Sequence, residues 1–162
     1  MATKRITKKQ AAEMARMAEI VERLKEVYPE SVCALEWGGQ YGGERDFLLK
    51  ESWKLLVMGR LSAQCTDKRV NMTTPALFAA YPTLEAMAAA DIADVENFVR
   101  SCGFYRHKAR DIVLGCQMLL SDFGGKVPGT MEELLKIPGI GRKTANLLLG
   151  DIHKKPGAIV CD

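Results

Sequence analysis

The sequence predicts an all-α fold, and three observations carry that reading. Apolar residues recur every three or four positions over long stretches. Side chains that cap helix N-termini precede those stretches, and glycine or proline follows them. Strand-like alternation is scarce, with Ala158-Ile159-Val160 the single hint of an extended piece. At 162 residues the chain makes one ordinary domain or slightly more and can bury a core without disulfides or metals. A hydrophobic fraction of 48% with 27% charged residues excludes disorder and fibrous repeats. No apolar run approaches the roughly 18 residues of a membrane span, and the basic N-terminus has no apolar segment behind it, so a cytoplasmic chain without a secretory signal is expected. The cysteines are Cys33, Cys65, Cys102, Cys116 and Cys161, an odd number with no C-x-x-C spacing, which fits reduced thiols.

Taken in order, residues 6–28 read as an amphipathic helix carrying Met14, Met17, Val21, Leu24 and Tyr28, stopped by Pro29. The glycine-rich stretch 38–43 has no strand pattern before it, which suits a surface loop better than a dinucleotide loop. From Glu51 a second helix is apolar over most of its circumference (Trp53, Leu55, Leu56, Met58, Gly59, Leu61) and belongs in the core. Thr66 or Asp67 caps a helix running to about Ala80, ended by Tyr81-Pro82. Thr83 and Asp91 cap two short helices, the second ending at Gly103. A longer helix spans about 106–123, with Ile112, Val113, Cys116, Leu119 and Leu120 on one face and Gly124-Gly125 closing it. Thr130 and Glu133 form a capping box for a short helix ending near Lys136, and the last helix covers about 142–150.

The segment Ile137-Pro138-Gly139-Ile140-Gly141-Arg142-Lys143-Thr144-Ala145 joins the last two helices. Its glycines allow a tight hairpin whose backbone can lie against a ligand, and the amides opening the next helix stand at the positive end of its dipole. Ile140 packs between the helices and holds their angle. The segment resembles a helix-hairpin-helix motif, a clamp on the DNA backbone that does not read sequence. The net charge of +3 is small, but Arg100, Arg106, Lys108 and Arg110 cluster without an acid. Lys136, Arg142, Lys143, Lys154 and Lys155 cluster against Asp151 alone. Such stretches suit a polyanion, although a solvated basic face is the commoner explanation of any one of them. Lys143 opposes the helix dipole from the first turn. It either neutralises a phosphate or supplies a neutral amine as nucleophile, and spacing alone does not choose.

Three separated blocks carry a wider resemblance: Leu61-Ser62-Ala63-Gln64-Cys65-Thr66-Asp67, then Cys102-Gly103-Phe104-Tyr105-Arg106-His107-Lys108-Ala109, then Val127-Pro128 through the hairpin to Ile159-Val160-Cys161-Asp162. On them the chain resembles the endonuclease III family of helix-hairpin-helix DNA glycosylases with AP-lyase activity. The resemblance implies a barrel-like core of six helices with the hairpin, over residues 49–162, with the motif near 130–150. It implies that helix 1–30 belongs to a second helical domain, incomplete here, with 31–48 as the loop between. Lys143 becomes the Schiff-base nucleophile and Asp162, 19 positions later, the catalytic carboxylate. Gln64 becomes the side chain inserted into the gap left by a flipped nucleotide, with a polar group satisfying a helix end as the plainer alternative. Phe104, where the family more often has leucine, becomes a wedge in the opposite strand, or else a core residue. Gly139, Ile140, Gly141, Arg142 and Thr144 of the hairpin, with Arg106 and Lys108, are the expected DNA contacts.

The implied partner is duplex DNA holding damaged bases or abasic sites, bound by a monomer away from membranes. The family continues past the position of Asp162 and binds a [4Fe-4S] cluster through four later cysteines, so the resemblance implies a piece of a longer protein. The cysteines present, at intervals of 32, 37, 14 and 45 residues, do not match cluster spacing, and no metal or cofactor is expected on this chain. Two rival readings stay open: a non-catalytic helix-hairpin-helix module, and a monofunctional adenine-mismatch glycosylase, against which Lys143 argues.

Overall fold

The computed structural model describes residues 7–29, 34–35, 45–155, 158 and 160, and the side chains of its second helix from Glu51 onward. Cys33, Ile159, Cys161 and Asp162 lie outside the described residues, as does the glycine-rich stretch 38–43. The chain divides into two compact units, Met1–Val32 and Cys33–Asp162. The first holds α1 (Lys8–Val27), opened by a capping box between Thr7 and Gln10. Glu19–Arg23 and Glu22–Lys25 pairs lie along α1, and its apolar stripe of Met14, Met17, Val21 and Leu24 is exposed.

The second unit contains α2 (Arg45–Ser62), α3 (Asp67–Ala80), α4 (Leu84–Ala88), α5 (Ile92–Val99), a 3-10 turn (Arg100–Cys102), α6 (Tyr105–Phe123), α7 (Met131–Leu134) and α8 (Arg142–Asp151). No strand occurs among the described residues, and Ala158 and Val160 are not in one. The expected caps are present. Thr66, Thr83 and Thr130 accept from the amides of Arg69, Ala86 and Glu133, and Asp91 accepts from Ala93. Gly124 (φ +58) ends α6, and the amides of Gly124 and Gly125 both donate to the Leu119 carbonyl. The main correction concerns α2, which starts at Arg45, inside the segment expected to be loop. Nothing after Gly43 breaks a helix there, because Glu, Arg, Leu and Lys all favour one.

α6 packs against α2, α4 and α5, while α2 also contacts α3 and α8, and α7 contacts α8. Trp53, Leu55, Leu56, Val57, Met58 and Leu61 of α2 are all buried, as its nearly continuous apolar surface requires. They meet Ile112, Val113, Cys116 and Leu119 of α6 within one core. α2 therefore supports α8 on one side and hands the chain to the Gln64 loop at its C-terminus.

Candidate functional site

Between α7 and α8 the chain turns through Gly139, whose φ of +74 suits glycine and strains other residues. Space requires glycine there as well. An added Cβ would stand 2.3 Å from Arg60 Nε and 2.5 Å from Asp111 Oδ2. Those two side chains, on α2 and α6, form an ion pair (2.7 Å), with the Arg60 Nε also donating to Asp111 Oδ2 at 2.8 Å. The hairpin thus rests on a charged strut joining two core helices. Ile137 and Ile140 are buried and anchor the turn from inside, and the Ile140 amide donates to the Ile137 carbonyl (3.1 Å). Gly141 caps α8 without a side chain, and a Cβ built on it meets nothing within 4 Å. The opening of α8 therefore faces open space with its backbone at the positive end of the dipole.

Lys143 is exposed in the first turn of α8. It lines a cavity of about 780 Å³ together with Leu147, Ser62, Gln64, Cys65, Thr66 and Asp67, and with Leu35 and Val160 at its apolar side. Two residues singled out by sequence, Gln64 and Lys143, are 79 positions apart and share this one pocket. Gln64 has a left-handed backbone (φ 53) in the tight turn after α2, where the Cys65 amide donates to the Ser62 carbonyl (3.0 Å). Its side chain is exposed. Thr144 is half-buried, with its Cγ2 methyl against α2; a Cβ on Gly59 would meet that methyl at 2.8 Å.

Phe104 also has a left-handed backbone (φ 44) and is 67% exposed, so it is not a core residue. Arg106 and Arg142 are exposed, as a phosphate contact requires. Lys108 is not. It was expected among the DNA contacts, yet only 1% of it is exposed, and its Nζ donates to the carbonyls of Leu61 (2.8 Å) and Cys102 (2.5 Å). Its place on the inward face of α6, beside Ala109 and Ile112, turns it into the core, and burial lowers its pKa. Among the described residues no three His, Cys, Asp or Glu side chains converge to hold a metal ion. Cys116 is enclosed by apolar groups, and burial pushes its thiol up to about 12. The described cysteines, Cys65, Cys102 and Cys116, do not by themselves supply the four thiolates of an iron–sulfur cluster.

Residues 57–160 match the family model described as HhH-GPD superfamily base excision DNA repair protein. The chain belongs to that superfamily. Among HhH-GPD relatives, the endonuclease III of Synechocystis sp. is 42% identical over 144 residues, covering 89% of this chain and 60% of the relative. That of Bacillus subtilis is 34% identical over 140 residues, covering 86% of this chain and 58% of the relative. The chain thus spans about three-fifths of the length of these curated relatives. A solved trapped endonuclease III–DNA covalent intermediate superposes with a TM-score of 0.74 at 34% identity, covering 91% of this chain and 63% of that one. The all-helical architecture and the helix-hairpin-helix are those of the superfamily.

Within this HhH-GPD fold, three contributions were not read from the sequence. The Arg60–Asp111 strut and the Gly59–Thr144 contact leave no local signal, because their partners are far apart in the chain. Thr66 and Asp67 line the pocket but stood out only as capping residues, although both lie in the first block of the resemblance.

Proposed function

We propose that this chain carries the catalytic core of a DNA N-glycosylase with AP-lyase activity, acting on oxidised pyrimidines and abasic sites in duplex DNA. The observation that carries the reading is Lys143, in the first turn of the helix after the hairpin, lining a pocket that Gln64 also lines. The hairpin amides with Arg106 and Arg142 hold phosphates without reading sequence. Gln64 and Phe104 enter the stack as a nucleotide leaves it, and the flipped nucleotide enters the pocket. That a relative has been trapped as a covalent DNA intermediate supports chemistry that passes through a covalent bond to DNA.

The chemistry follows from an amine beside a sugar. Lys143 Nζ attacks C1′ and the C1′–N bond breaks, the base leaving with the bonding electrons and taking a proton. Opening of the C1′–O4′ bond yields the imine. Loss of a C2′ proton then expels the 3′ phosphate by β-elimination, and water hydrolyses the imine to regenerate the amine. Asp162 is the carboxylate assigned to deprotonating the amine and stabilising positive charge on the sugar. The chain works as a monomer in the compartment that holds the DNA. Borohydride reduction of the intact protein on abasic-site duplex tests the reading. The wild type is expected to leave a covalent adduct and Lys143→Gln none, with DNA binding reduced only modestly. An adduct formed by Lys143→Gln would mean that another amine is the nucleophile. A wild type that binds DNA without an adduct would make the chain a binding module or a monofunctional glycosylase.

A further inference from the structure

The loop holding Gln64 and the loop holding Phe104 are tied together by one side chain. We infer that Lys108 is a positioning residue that fixes the spacing of these two probes by clamping the carbonyls of Leu61 and Cys102. Leu61 lies in the last turn of α2, three residues before Gln64, and Cys102 closes the 3-10 turn two residues before Phe104. Both carbonyls belong to helix ends that leave acceptors without intrahelical donors. The Lys108 Nζ reaches both, at 2.8 and 2.5 Å. A cation is favoured at the C-terminal end of α2 by its dipole. The Lys108 amide in turn donates to the Phe104 carbonyl (3.1 Å), so the same residue fixes the start of α6 and the backbone of the second probe.

The context makes this a device for geometry. Lys108 is the one buried lysine, arginine or carboxylate among the described residues. Its surroundings hold Cys65, Cys102 and the Arg60 cation, and among the described residues no acidic side chain is hydrogen-bonded to it. Burying an ammonium there costs free energy that a methionine of similar volume would not incur. The two tethered loops carry two of the left-handed non-glycine residues of the chain, Gln64 and Phe104. Such conformations persist only where surrounding structure holds them, and the clamp supplies that hold from inside. Two probes entering one duplex must keep a fixed separation, and a misplacement of about 1 Å can cost about a hundredfold in rate.

This inference rests on the reading that the chain binds damaged duplex DNA, and the experiment separates the two. The probe is a duplex with a tetrahydrofuran abasic analogue opposite 2-aminopurine, whose fluorescence rises when the base unstacks. With the intact protein, Lys108→Met is expected to keep binding affinity within about threefold, since the buried amine touches no phosphate, while losing most of the fluorescence rise. Turnover on abasic DNA should fall about tenfold or more through kcat rather than KM. In that background Gln64→Ala and Phe104→Ala should cost little further, although each is costly alone. Lys108→Gln keeps amide donors without the charge and should restore part of the signal; if Lys108→Met does not fold, Lys108→Leu, which also lacks a donor, serves as the test variant. Full fluorescence rise and turnover in whichever donor-less variant folds, or additive losses with the probe substitutions, overturns the clamp alone. A wild type that neither binds this duplex nor raises its fluorescence overturns the functional reading and the clamp with it.

Discussion

Gly139 and Gly141 sit two positions apart in one turn and are glycine for different reasons. At Gly139 a side chain needs both a left-handed backbone and room already held by Arg60 and Asp111. Gly139→Ala should therefore destabilise the fold by about 2 kcal/mol or more, as strain and overpacking add. A thermal melt without DNA measures this. Gly141 has an ordinary φ of −98 and open space around its Cβ position. Gly141→Val should leave the melting temperature within a few degrees, since losing a glycine N-cap costs only tenths of a kcal/mol to about one. It should weaken binding to all duplexes alike, because the side chain fills the space a phosphate would approach. Equal thermal losses for the two variants, or sequence-selective loss of binding in Gly141→Val, would remove the distinction. Lys108 gives the complementary lesson: a charge in a basic stretch is not a surface charge when the helix turns it inward.

Helix-to-helix distance decides where Lys143, the proposed nucleophile, stands. α8 approaches α2 closely because Gly59 leaves room for the Thr144 methyl, the residue after Lys143. A Cβ on Gly59 at 2.8 Å from that methyl would press α8 outward and carry Lys143 with it. Gly59→Ala is thus expected to lower abasic-site cleavage about tenfold while leaving most of the stability, since alanine also favours the helix. Adding Thr144→Ser removes the Cγ2 methyl and should recover activity in the double variant. Activity that stays low in Gly59→Ala/Thr144→Ser would show that the spacing of α2 and α8 is not what the glycine protects. The Arg60–Asp111 strut acts on the same scale, holding α2 and α6 under the hairpin.

At the scale of the whole molecule, stability depends on pH through groups sealed in the core. The Cys116 thiol has a folded pKa of about 12 against an ordinary 9.0, because burial penalises its thiolate. Between these values the unfolded chain releases a proton that the folded chain keeps. The stabilisation is complete below pH 9.0 and is lost as pH climbs toward about 12, by about 1.4 kcal/mol per unit. Cys65, half-buried at the pocket and raised chiefly by desolvation, acts in the same direction outside the sealed core. Lys108, lowered chiefly by desolvation, acts in the opposite one between its folded value and 10.5. Calorimetric melts from about pH 8 to about pH 11 should show a steep alkaline decline in the wild type and a shallower one in Cys116→Ala. Equal slopes in the two would mean that Cys116 is not the group responsible.

The sequence by itself determined what is settled within a turn or two of chain. The caps at Thr66, Thr83, Asp91 and Thr130, the glycine stop after Phe123 and the hairpin through Gly139 all stand where residue type and spacing placed them. A capping hydroxyl and its amide lie two or three residues apart, so their pairing is written locally. The motif blocks likewise singled out Gln64, Phe104 and Lys143 as residues of interest. Only the tertiary structure decided that Gln64 and Lys143 open onto one pocket and that Phe104 is exposed. Only the packing could show that Arg60 meets Asp111, 51 residues away, beneath the hairpin. It also turned Lys108 from an expected phosphate contact into a buried clamp whose acceptors lie 47 and 6 residues away. The physical reason is common to all of these: periodicity and caps specify a helix and its apolar stripe, whereas the rotation and separation at which helices pack decide which distant side chains meet.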